Sequence, residues 1–247
     1  MNWRQLLIGF AMVLVIWQLL AIVIARSILP PPATVLATLA AELTLGELRR
    51  HFLVSAWRVV ASIALALATA VPAGLVLGQS PALDRFFQPL IYITYPIPKI
   101  VFLPIVLIFL GIGDASKIAI IWLILFFQVL VVVRDEAATL RPELIASVRS
   151  LGAGRMALFR FVYLPATIPA VLTALRLSIG TAVAVLFFAE SFATTSGLGY
   201  YIIVESFSRV AYAQMYAGVV ALSLLGLSLY FLANWLERRL APWLFLS

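Results

Sequence analysis

Among the polar residues in or beside long apolar runs, seven are candidates to line a path: Tyr95, Lys99, Gln128, Arg176, Ser178, Thr181 and Glu190. A charge at the centre of a bilayer costs about 2.5–3.5 kcal/mol on insertion scales, so Lys99, Arg176 and Glu190 either snorkel to an interface or face a polar path between helices. Fourteen positions separate Arg176 from Glu190, which in an α-helix is roughly 21 Å along the axis and about 40° around it. They share a face but cannot pair with each other. The rest of the reactive inventory is thin. There is no cysteine, and the single histidine, His51, argues against a histidine-based metal or acid–base centre within one chain. Asp135 and Glu136 are adjacent, and neighbours on a helix point in different directions, so they form no carboxylate pair.

These residues sit in a chain of 247 residues that is 64% hydrophobic and 11% charged, against roughly 45–50% and about 25% in soluble domains. That composition predicts an all-α polytopic membrane protein. Charge-free runs place six transmembrane helices at Gln5–Ala25, Val59–Leu83, about Phe86–Gly111, Ile118–Val133, about Pro169–Ser191 and Val210–Leu236. The first run is too long for a signal-peptide core of about 7–15 residues and is read as a retained helix. In the third, Pro96 and Pro98 remove two backbone donors within one turn, so the helix should kink or unwind beside Lys99. Along the second, Ser62, Ala66, Ala70, Gly74 and Gly78 make a stripe of small side chains that lets another backbone approach closely. The expected organisation is one transmembrane domain over residues 1–247, with an N-terminal helix within 1–28 and core spans over 52–236.

An even number of spans puts both termini on one side. With termini cytoplasmic, the inner segments hold Arg4, Arg85, Arg134, Arg141, Arg149, Arg155, Arg160, Arg238 and Arg239, and the outer segments Arg26, Arg49, Arg50, Arg58, Lys117 and Arg209. The excess favours termini inside. The net charge of +7 is then accounted for by anionic membrane lipid and an acidic partner, without nucleic acid.

The longest polar connection runs over residues 134–165. Pro142 suits the first turn of a helix and Glu143 its positive end, and Leu144, Ile145, Val148 and Leu151 follow at helical spacing until Gly152 stops it. A second short helix over Arg155–Val162 carries Met156, Phe159 and Phe161 and is expected to end at Leu164-Pro165. Such a pair of helices either lies on lipid headgroups or docks in a groove of a soluble partner.

The spacing here resembles the cytoplasmic signature of bacterial ATP-binding-cassette importer permeases: Glu-Ala-Ala, three residues, Gly, nine residues, Ile, one residue, Leu-Pro. Gly152, Leu164 and Pro165 match it, Val162 takes the Ile position, and Ala146-Ser147-Val148 stands where Glu-Ala-Ala is expected. Glu136-Ala137-Ala138 is out of register, since it would put Pro142 at the Gly position. Further strings in order along residues 29–200 are similar to the nitrate/sulfonate/taurine (bicarbonate) branch: Leu29-Pro30-Pro31-Pro32, Tyr95-Pro96-Ile97-Pro98-Lys99, Phe109-Leu110-Gly111-Ile112-Gly113, Ser150-Leu151-Gly152-Ala153, Leu175-Arg176-Leu177, Ala189-Glu190 and Gly197-Leu198-Gly199-Tyr200.

The resemblance implies a type I importer permease bundle in the bacterial inner membrane, paired with a second copy in a homodimer. It implies a cytoplasmic ATPase dimer that binds ATP and magnesium, and a periplasmic or lipid-anchored substrate-binding protein. The chain itself needs no cofactor and is not an enzyme. Its only lysines, Lys99 and Lys117, follow Pro98 and Ser116, not the glycine turn of a phosphate-binding loop. ATPase coupling is expected at Glu143, Ala146, Ser147, Arg149, Ser150, Leu151, Gly152, Ala153, Leu164 and Pro165, within a contact over Glu143–Arg155. Glu143 or Arg149 would stand in for the signature glutamate that Ala146 replaces. The loops around Asp114–Lys117 and Ser196–Arg209 would meet the binding protein, with Tyr200, Tyr201, Phe207 and Tyr212 as interfacial aromatics. The seven polar residues named first are the pathway candidates. The cargo is a small anion such as a sulfonate, taurine or nitrate, with a pyrimidine vitamin precursor as the alternative. An ion-gradient-driven transporter, a lipid-modifying enzyme and a purely structural subunit are the competing classes.

Overall fold

The computed structural model describes residues 3–242, so the outermost residues of the 1–247 domain lie outside the described residues. Every regular element among those described is helical. In order they are α1 (Trp3–Ile24), α2 (Pro32–Thr44), α3 (Leu48–Gln79), α4 (Pro81–Thr94), a 3₁₀ turn (Lys99–Phe102), α5 (Leu103–Leu110), α6 (Asp114–Ala138), α7 (Pro142–Ser150), α8 (Arg155–Leu158), a π-helical segment (Phe159–Tyr163), α9 (Leu164–Ser191), α10 (Leu198–Tyr200), π and 3₁₀ turns over residues 201–209, and α11 (Tyr212–Leu240). Five helical segments are long and apolar enough to cross a membrane, and α4 with Lys99–Leu110 makes a sixth span bent by 82°. The bend falls at Tyr95-Pro96-Ile97-Pro98, where the two missing amide hydrogens end the helix.

The helices outrun the charge-free runs. α3 begins at Leu48 and ends at Gln79, so it takes in Arg49, Arg50, His51 and Arg58 and gives up Leu83 to α4. Arg58 is 2% exposed, and its guanidinium holds Asp114 at 2.7 Å. The attraction of a paired charge offsets part of the cost of its burial, and counting charges along the sequence cannot anticipate the partner. Asp114–Lys117, expected as a loop, is the first turn of α6, with Lys117 fully buried and donating to the Ile112 carbonyl at 2.9 Å. α2 has no counterpart among the six runs. It is apolar but only 13 residues long, too short to cross a membrane, and it opens with Pro32 at its first turn.

The chain divides into two compact units, residues 1–56 with 190–225, and residues 57–189 with 226–247. In the second unit the small-residue stripe of α3 packs on α6. A Cβ on Gly74 would lie 3.0 Å from the Leu130 carbonyl, and one on Gly78 only 2.4 Å from that of Arg134. Trp122 on α6 donates to Thr69 at 3.0 Å along the same contact. Below it, Leu75, Leu77, Ile91, Val129, Leu130 and Val133 form a core that also receives Leu158, Val162 and Tyr163 from the α8 end of the long connection. In the first unit, the Trp17 indole of α1 donates to the Pro30 carbonyl at 3.1 Å and stacks at an angle on Tyr216.

Candidate coupling segment and polar recess

The long connection folds as a helix, a sharp turn and a second helix. Pro142 opens α7, with Glu143 in its first turn and Arg149 in its last, each at the pole of the helix dipole that favours its charge. The turn is made by Gly152, whose φ of +83° is a conformation that costs other residues roughly 1–2 kcal/mol. Its amide donates to the Arg149 carbonyl at 2.9 Å. The apolar stripe of α7 splits. Ile145 and Val148 pack on the core, while Leu144 and Leu151 point outward. With Met156 and Phe161 they leave an apolar surface, Leu151 being 84% and Met156 76% exposed. Glu143, Ala146, Ser147, Arg149, Ser150 and Gly152 are exposed around it and Ala153 half-buried. The Arg155 side chain lies outside the described residues.

Leu164-Pro165 does not end the second helix. The chain continues from Met156 to Ser191 as one apolar span, with Leu164 and Pro165 half-buried in it. Proline lacks the amide hydrogen, and its ring clashes with the carbonyl four residues earlier in a regular helix. The π segment relieves that conflict: the Leu164 amide donates to Phe159, five residues back, widening the turn just before Pro165. The part of the connection after the Gly152 turn, from Met156 on, is thus continuous with the span.

The broken span frames the second feature. Its bend strands carbonyls at the end of α4, and the Lys99 ammonium donates to two of them, Thr94 at 2.9 Å and Tyr95 at 3.2 Å. The same ammonium lies 4.6 Å over the centre of the Phe127 ring, a cation–π distance. Beside it opens a recess of about 370 Å³ lined by Tyr95, Pro96, Pro98, Lys99, Phe127 and Gln128 among others. The Gln128 amide reaches Thr181 at 3.5 Å. Four of the seven polar candidates therefore gather here.

The other three do not. Arg176 is paired with Glu237 of α11 at 2.9 Å, and Ser178 is buried. Glu190 is fully buried in the first unit, at the centre of a network that joins the start of α3 to the segment after α9. Ser55 Oγ donates to Glu190 Oε2 at 2.7 Å and accepts from the Leu198 amide at 2.7 Å. The Gly199 amide donates to the same Oε2 at 3.1 Å. The Gly197 amide donates to His51 Nδ1 at 3.0 Å, which leaves the ring proton on Nε2, 3.3 Å from Glu205. Gly197 has φ +114°, and a Cβ there would stand 2.2 Å from the Glu190 carboxyl carbon. Residues 196–209 are therefore largely helical and in part buried, not a free loop. Tyr201 is 3% exposed, not an interfacial aromatic, and burial, then the Glu42 carboxylate, hold its phenol above the usual range. Phe207 is exposed, and Tyr200 and Tyr212 are half-buried. His51 and Ser55 carried no local signal. Only the Gly-Leu-Gly string after Glu190 pointed here.

Helices of membrane-crossing length, a broken span holding a lysine, and a turned helical connection leading into a span define the class: a polytopic helical membrane protein. Residues 70–242 match the family described as binding-protein-dependent transport system inner membrane components, and the chain belongs to it. The taurine transport system permease protein TauC of Escherichia coli (strain K12) is 32% identical over 244 residues, covering 94% of this chain and 87% of that one. The formylaminopyrimidine transport permease protein ThiX of Halalkalibacterium halodurans is 27% identical over 239 residues, covering 95% and 93%. Among solved structures, a chain of the inward-facing MetNI methionine ABC transporter aligns with a TM-score of 0.65 at 20% identity, over 78% of this chain and 96% of that one, a likeness of fold. Permeases of this family have no ATPase site of their own and leave ATP hydrolysis to a partner subunit. This sets aside the gradient-driven and lipid-enzyme alternatives.

Proposed function

We propose that the chain is the permease half of an importer of small organic sulfonates, driven by a cytoplasmic ATPase dimer that docks on α7 and the Gly152 turn. The observation that carries this reading is the exposure of the apolar Leu144, Leu151, Met156 and Phe161, with the charged Glu143, Arg149 and Arg160 on the same two helical stretches, the second of which is continuous with α9. Apolar anchors accompanied by charge suit a groove on a protein partner. Continuity through the π segment gives a movement at the docking site a direct route into the membrane. Glu143 and Arg149 stand at the two ends of α7, placed to take over the pairing of the signature glutamate that Ala146 replaces.

Charge supports this orientation. Setting aside the buried or largely buried ion-pair and capping residues Arg58, Lys117 and Arg134, the segments assigned outside keep Arg26, Arg49, Arg50 and Arg209, and those assigned inside keep eight of their nine arginines. The bias toward a cytoplasmic connection and cytoplasmic termini grows accordingly. The opposite side would receive a substrate-binding protein, and a second copy of the chain would complete the pathway. The relationship to TauC, a taurine permease, favours a sulfonate cargo. The relationship to ThiX keeps a pyrimidine precursor as a second reading.

The test is affinity purification from native membranes of the unaltered chain and of Gly152→Val. An ATP-binding-cassette ATPase retained by the first and lost from the second supports the docking assignment. Equal recovery with both refutes it. Uptake of labelled taurine, with formylaminopyrimidine as competitor, decides the cargo.

A further inference from the structure

We infer that the recess at the break between α4 and Lys99 is the cargo's anion site, with the Lys99 ammonium and the Gln128 amide binding a sulfonate head as it crosses. This rests on the proposal above that the cargo is a sulfonate. Pro96 and Pro98 set the geometry. By ending α4 they leave the Thr94 and Tyr95 carbonyls facing the break, and Lys99 is the next residue able to meet them, which it does at 2.9 and 3.2 Å. An ammonium has three protons. Two point at these carbonyls, and neutral oxygens do not cancel the charge. Among the described residues no carboxylate pairs with Lys99. Its other neighbours are the faces of Phe127, at 4.6 Å, and Tyr95, at 5.8 Å.

A half-buried cation whose neighbours are neutral carbonyls and aromatic faces, with no carboxylate paired to it, attracts an anion more strongly than one fully in solution. This one borders a recess of about 370 Å³, roomy for a sulfonate on a two-carbon chain. Gln128 lines the same recess and spends its amide on a long 3.5 Å contact with Thr181. It can turn that donor toward a second sulfonate oxygen. The rest of the lining is proline, aliphatic and aromatic, so a few polar contacts and much free volume make the site loose, as passage requires. A carrier with a tight site here would not release its cargo. The bend makes the pocket, the capping carbonyls fix the lysine beside it, and the charge selects an oxyanion.

The experiment uses the permease with its co-purifying ATPase and binding protein in proteoliposomes, reading labelled taurine imported per ATP hydrolysed. Lys99→Met and Gln128→Glu are expected to lower that ratio about tenfold or more, the loss of one charge-assisted hydrogen bond, and Lys99→Arg to restore most of it. Lys99→Met at the wild-type ratio overturns the proposal. Should Lys99→Met fail to assemble, Gln128→Glu touches no capping carbonyl and decides alone: its assembled complex importing at the wild-type ratio also overturns it. Failure of the underlying sulfonate reading shows separately, as absence of taurine import by the unaltered complex.

Discussion

Replacing Glu190 separates two explanations of its burial, acceptor or charge. The Ser55 hydroxyl and the Gly199 amide both donate to Oε2, and Ser55 in turn accepts from Leu198. Glu190→Ala leaves both donors buried without an acceptor, at about 1–3 kcal/mol each, so the loss is roughly 2–6 kcal/mol. For a chain of this size each kcal/mol moves the unfolding midpoint by about 2–4 °C, giving a fall of roughly 4–24 °C. Glu190→Gln keeps one carbonyl oxygen that can take the place of Oε2 and accept both bonds, so it should lower the midpoint by less than half as much as Glu190→Ala. The assay is thermal unfolding of the detergent-solubilised complex, followed by monodispersity. A fall of under about 2 °C for Glu190→Ala would refute the reasoning, because the donors would then have found other acceptors. A glutamine variant as damaged as the alanine one would show that charge, not acceptance, holds the network.

Gly197→Ala meets both a φ of +114° and a carboxyl carbon at 2.2 Å, so it should lower the yield of folded protein in membranes at least as far as Glu190→Ala; normal yield and midpoint would contradict the packing. Gly78→Val puts side-chain atoms against the Arg134 carbonyl and Ala137 and should cost about 1–3 kcal/mol by overpacking, read as a lowered unfolding midpoint. Arg134 holds Asp84 through two nitrogens, at 2.6 and 3.3 Å, with both side chains largely buried. A double-mutant cycle with Arg134→Met and Asp84→Asn should return a coupling of about 1 kcal/mol or more, and a value near zero would show that the pair is incidental.

The spans were legible because lipid imposes a strong local rule: about 20 apolar residues must run without charge. The break at Pro96 and Pro98, the turn at Gly152 and the close contact of Gly74 and Gly78 were legible for the same reason, each being set by residue type at one place. What local rules could not supply is who partners whom. Arg58 pairs with Asp114, 56 residues on, and Arg176 with Glu237, 61 residues on, partners that no local pattern marks. Pro165 read as a stop because its own geometry forbids a regular turn, and only the π segment before it shows how the helix continues. Glu190 stood out as an intramembrane charge, yet its meaning lies in Ser55, His51 and three consecutive amides that no periodicity marks. α2 escaped notice because an apolar helix of 13 residues falls short of the length that marks a span.

The most direct test of the central claim is taurine uptake into proteoliposomes that hold the permease and its co-purifying ATPase, with ATP sealed on the ATPase side and the binding protein on the other. The account predicts uptake that requires both ATP and the binding protein and is abolished by Gly152→Val. Uptake that follows an imposed proton or sodium gradient without ATP, or that survives Gly152→Val undiminished, would contradict it.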